Sequence, residues 1–148
     1  MSREFNEAEA TLHRKFATHV RNAAAEAGLM IDPQGPIPPD VLDQLWSTWE
    51  WPPEMSAEEQ QVAIAFSGFA LGDYLAAHTG MRGQIVSDAQ GTDYALVVPA
   101  TDVTAFPLAT VAKRLGQAPF FSSIAPAMIS DIANASVRRN EKPWWKFW

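Results

Sequence analysis

The chain contains no cysteine. That absence removes disulfides, thiolate nucleophiles and cysteine-ligated zinc or iron–sulfur centres together. Histidine is scarce as well, with three residues at His13, His19 and His78. His13 and His19 stand six apart, about 240° around a helix, so they cannot share a ligand face. No HExxH spacing, GxSxG elbow, P-loop or GxGxxG occurs either. No metal and no cofactor is therefore expected. An enzyme is not excluded by these gaps, because catalytic groups are defined by geometry and not by their order in the chain.

Positive charge is also in short supply. Eleven Lys and Arg face 17 Asp and Glu, a net of −6, and the imbalance is uneven. Residues 1–112 hold 5 Lys/Arg against 15 Asp/Glu, a net of −10; residues 113–148 hold 6 against 2, a net of +4. An acidic body argues against nonspecific nucleic-acid binding, which depends on neutralising phosphates. Long apolar runs are lacking too. "MSREFNEAEATLHRKF" holds none of signal-peptide length. "VAIAFSGFALG", Val62 to Gly72, is too short to cross a bilayer. A cytoplasmic protein is expected.

What is present reads as helices, then a small three-stranded antiparallel meander, then C-terminal helices. This is an α+β order, since strands and helices do not alternate. Phe5, Leu12, Phe16 and Val20 recur near a 3.6 spacing and predict a helix over 5–27, with Gly28 as its stop. A second helix follows Pro39, with Leu42, Leu45, Trp46 and Trp49 on one face. Ser56 and Glu59 form a capping-box pattern that opens a third helix, ending at Gly80. That helix is apolar nearly all round, so it is expected to be the most buried element and to pack on the meander. Gly68 and Gly72 give it a smooth strip for close approach.

"GQIVSD", "DYALVVP" and "DVTAF" read as the three strands. "PLATVAKRLG" reads as a helix opened by Pro107 and stopped by Gly116. "FFSSIAPAMISDIANASVRR" reads as the last helix, with Ile124, Met128, Ile132 and Val137 inward and Pro126 in its first turn. Residues 1–142 are expected to form one compact domain, with 143–148 as an aromatic tail.

From Phe69 to Leu115 the chain resembles the bacterial domain-of-unknown-function family 3806. The residues that carry the likeness are Leu71, Gly72 and Leu75, the hairpin glycine Gly91, and Phe106, Pro107, Lys113 and Arg114. The resemblance implies a bacterial α+β module. It also implies that Pro107, Lys113 and Arg114 shape an element common to the family. It supplies no activity.

Two features invite a functional reading. Asp73 lies inside the most apolar helix, and burying a lone carboxylate is costly. It marks an exposed edge, pairs with an arginine, or belongs to a site with His78 and Arg82. The second feature is "KPWWKFW", Lys142 to Trp148, where four of the last five residues are aromatic. Trp144, Trp145, Lys146, Phe147 and Trp148 are candidate interaction residues, since aromatic and basic side chains dominate interface hot spots. The tail packs on its own domain or a twin subunit, docks on a foreign protein, or touches a membrane interface, where Trp and Lys are favoured. Exposed, such a cluster is an aggregation liability, so burial of its rings is expected.

The reading that follows is a non-enzymatic binding or accessory module of inhibitor or immunity type, with a protein partner or self-association. An enzyme with its site near Asp73, His78 and Arg82, and peripheral membrane contact through the tail, are the alternatives.

Overall fold

The computed structural model describes residues 2–29, 35–48, 56–88, 91–99, 103–114 and 120–141. Trp49, Gly116 and the aromatic segment 142–148 lie outside the described residues, and with them every expectation placed on those positions. The order is β1 (Ser2–Arg3), α1 (Glu7–Glu26), α2 (Pro39–Thr48), α3 (Ala57–Thr79), β2 (Arg82–Asp88), β3 (Gly91–Val97), β4 (Thr104–Ala105), α4 (Pro107–Ala112) and α5 (Phe121–Glu141). The class is α+β.

Local chemistry sets the ends of α1. The Glu9 amide donates to Asn6 Oδ1 at 2.8 Å, and the Asn6 amide donates to Glu9 Oε1 at 3.0 Å, a complete capping box. At the other end Gly28 takes φ 73°. The Gly28 and Leu29 amides reach back to the carbonyls of Ala25 and Ala24, the paired bonds of a Schellman stop. The inner face of this helix is the expected one at Phe16 and Val20 but not at Leu12. Leu12 is 47% exposed, while Val20 and Ala24 are buried and the rings of His13 and Phe16 lie against α3. The true stripe, 13-16-20-24, fits helical spacing as well as the apolar residues do. A polar imidazole at its head hid it.

The meander is present as β2, β3 and β4, each antiparallel to its neighbour, and β1 adds a short fourth strand on the β2 edge. Arg82 pairs with Val97 and Asp88 with Gly91, which fixes the β2–β3 register over seven residues. This register puts Ile85 opposite Tyr94, and Tyr94 and Leu96 both enter the core.

Helix α3 is the centre of the molecule. Its N-cap is Ser56, whose hydroxyl accepts from the Glu59 amide and donates to the Glu59 carboxylate. Gly80, at φ 72°, closes it. It packs chiefly on α1, α4 and α5, and the sheet meets it through β2 and through the Tyr94 ring of β3, so the meander is a lesser neighbour than expected. The two glycines explain this. A Cβ at Gly68 would sit 2.9 Å from the Leu108 Cα, so α4 crosses with its backbone almost touching α3. A Cβ at Gly72 would sit 2.7 Å from the Tyr94 hydroxyl.

Helix α5 is held differently. Its first turn has an aromatic, Phe120, where a capping residue would normally stand. The cap comes from α2. Asp43, buried at 9% exposure, accepts from the Phe121 amide at 2.7 Å, the Ser122 amide at 2.9 Å and the Ser122 hydroxyl at 2.6 Å. A carboxylate suits the positive end of a helix dipole. Beside this clasp the rings of Trp46, Phe120 and Phe121 meet edge to face and tilted, with centroids 4.3 to 5.5 Å apart. Pro126 is the sixth residue of α5, in its second turn and not its first.

Two stability outcomes follow. Asp43→Ala leaves two helix-start amides without their acceptor and is expected to cost about 2–4 kcal/mol in urea unfolding. Asp43→Asn is expected to cost less, because one acceptor remains. A loss below about 0.5 kcal/mol for the alanine variant contradicts the clasp. Gly68→Ala gains up to about 1 kcal/mol of helix propensity but must displace the α4 backbone. A net loss of roughly 1–2 kcal/mol is expected, larger than for Gly72→Ala, where the tyrosine can swing aside.

Candidate functional site

Helices α4 and α5 do not close on each other. Between them runs a cleft with two adjoining lobes of about 330 and 400 Å3. Phe106, Ala109, Met128 and Ile132 supply apolar lining; Lys113, Arg114 and Asp131 supply charge. Phe106 stands out there. Its neighbours Ala105 and Pro107 are buried, yet Phe106 itself is 38% exposed.

The wall on the α4 side is built by a short motif. Pro107 takes the first helical position, where its missing N–H costs nothing. Six residues later Lys113 ends the helix, and the Arg114 guanidinium donates to the Thr110 carbonyl at 3.2 Å. One cation is therefore partly committed to the helix end, while Lys113 is exposed at the cleft. On the other wall Ile124, Met128, Asp131 and Ile132 follow one face of α5.

A second cluster lies at the junction of α1, α3 and β3. His13 Nε2 is 2.9 Å from Asp73 Oδ1, with both side chains partly buried. The nitrogen is enclosed, and the two groups approach closely without the alignment of a hydrogen bond. The rings of Phe5, Phe69 and Tyr94 surround the imidazole at 5.1 to 6.2 Å. Burial, and then the Asp73 charge, hold the Tyr94 phenol well above its ordinary range. Asp73 has therefore found a histidine on α1, not an arginine. His78 lies against Tyr74, ring centroids 4.3 Å apart, and Arg82 is exposed at the start of β2. Asp73 and His78 thus face different neighbours.

Residues 43–119, more than half of the chain, match the family described as Domain of unknown function (DUF3806). The chain belongs to the DUF3806 family. No curated protein and no solved structure matches it. The family region begins at Asp43 and includes α3, β2 to β4 and the Phe106–Arg114 motif. It contributes the α4 wall of the cleft, while α5 lies beyond it.

Among the described residues there is no group of three or more His, Asp or Glu placed to hold a metal ion. No helix among them is long and apolar enough to cross a membrane. Two residues of consequence are hard to find from the sequence. His13 does not count as apolar, although helical spacing puts it in line with Phe16, Val20 and Ala24. Asp43 flanks the apolar face of α2, and the start "FFSS", with a phenylalanine at the capping position, is the one local sign that an acceptor comes from elsewhere.

The Tyr94 phenol gives a pH test. Its folded pKa lies above the ordinary value of 10.0, so the unfolded chain loses that proton first as pH rises. The stabilisation is complete below pH 10 and declines above it, by up to about 1.4 kcal/mol per pH unit. Urea unfolding of the wild type between pH 9 and 12 should therefore weaken more steeply than that of Tyr94→Phe. Parallel profiles would contradict the burial of this hydroxyl.

Proposed function

We propose that this DUF3806 protein is a binding module without chemistry of its own, and that its contact surface for a protein partner is the α4–α5 cleft. The observation that carries this reading is the exposed Phe106 at the mouth of a groove of mixed lining, apolar at Ala109, Met128 and Ile132 and charged at Lys113 and Asp131. An aromatic anchor beside mixed charge is what interface hot spots favour. The acidic body supports a basic partner, whose approach it would accelerate. Inhibitor and immunity-type proteins work in this manner.

The enzymatic alternative has less support. Its candidates Asp73 and His78 are turned to different neighbours, and the nitrogen that Asp73 does meet is enclosed. A general acid or base must reach its substrate's proton directly or through one water.

The test is affinity capture from a lysate of the source organism, with the tagged wild type beside Phe106→Ser and Leu12→Ser. Leu12 is a still more exposed apolar residue, far from the cleft in the chain. A partner retained by wild type and Leu12→Ser, and reduced about tenfold or more by Phe106→Ser, is the expected result. Equal retention by all three overturns the assignment of the cleft.

A further inference from the structure

The cleft has a candidate occupant within the same chain. We propose that the aromatic segment Lys142–Trp148 folds back along α5 and docks in the α4–α5 cleft, so that the module carries its own competitor for the binding surface. The proposal rests on the reading of that cleft as a peptide-binding groove.

Three observations carry it. The first is reach. α5 ends at Glu141, and the cleft residues Ile132, Asp131 and Met128 stand nine, ten and thirteen positions earlier. At 1.5 Å per residue these lie about 14 to 20 Å back along the helix. Seven extended residues span about 23 Å, enough to turn and bring the last rings alongside Ile132 and Asp131.

The second observation is size. Each lobe, at about 330 and 400 Å3, is at the small end of the range of binding pockets, roughly 300–1,000 Å3. It admits one or two side chains from an extended segment, not another helix.

The third is chemistry. Met128 and Phe106 are favourable surfaces for indole rings. Lys113 and Arg114 are placed to meet ring faces as cations, and Asp131 offers a carboxylate to Lys146 or Lys142. Covering Phe106 with these rings hides two apolar patches at once, each an aggregation liability alone.

The cysteine-free chain makes the test direct. Met128→Cys places a single thiol in the cleft, and its alkylation by an uncharged maleimide is followed in the full chain and in a chain ending at Glu141. Docking predicts that the full chain reacts at least about threefold more slowly, at a ratio independent of protein concentration. A Leu12→Cys control should react alike in both. If Met128→Cys does not fold, as judged by circular dichroism, Ala109→Cys reads the same cleft from the α4 wall. Equal rates with and without the segment overturn the proposal. Protection that grows with protein concentration also overturns it, because the segment then comes from a second copy. The outcome is separable from that of the capture experiment. Equal alkylation rates with partner loss in Phe106→Ser leave the cleft as a binding surface but remove its internal occupant. Protection with no effect of Phe106→Ser on capture does the reverse.

Discussion

Asp43 is the point on which the C-terminal half of this molecule is hung. A helix start leaves several amides without acceptors, and α5 begins with two phenylalanines that can supply none. The chain solves this from 78 residues away, with a buried carboxylate on α2 that takes two backbone amides and a hydroxyl. The direction of α5 is thereby tied to α2, and the Trp46–Phe120–Phe121 ring contacts fill the space around the tie. A single carboxylate satisfied three times is more specific than any apolar contact there, because shifting α5 by a few ångströms would break all three bonds.

The cleft lies between two helices that are anchored at different points. Asp43 fixes α5 to α2. The glycine strip of α3 fixes α4, because only a residue without a side chain at Gly68 lets the Leu108 backbone come so close. With α4 drawn onto α3 and α5 aimed from α2, the facing surfaces of α4 and α5 are left short of each other. Phe106 ends up at the mouth of the gap because Pro107, next to it, is fixed as the first residue of α4. A groove thus emerges between them, and neither constraint lies in the groove itself.

Much of the architecture was legible in the sequence because its signals were local. Gly28 and Gly80 marked helix ends, Ser56 with Glu59 marked a helix start, and the β-formers around Gly91 marked the hairpin. The helix-opening role of Pro107 was likewise readable from one residue. What escaped was long-range. Nothing near Asp43 indicates that Phe121 needs an acceptor, and nothing near Asp73 indicates that its partner is His13 on another helix. Along α1 the expectation departs from the structure at Leu12 for a physical reason: the inward place one turn before Phe16 is taken by the neighbouring His13, a polar ring surrounded by Phe5, Phe69 and Tyr94 that apolar periodicity does not count. The cleft could not be read at all, since it depends on how two helices fail to meet.

Native-state hydrogen exchange of the Phe121 and Ser122 amides tests the central claim most directly. Amides in the first turn of a helix normally exchange fast, because they lack acceptors within the helix. If Asp43 holds them as described, both should be protected to within about tenfold of the slowest amides of α3, opening only with the whole molecule. Exchange faster than that by several orders of magnitude, with α3 still protected, would show that α5 starts without its tie and would contradict the account.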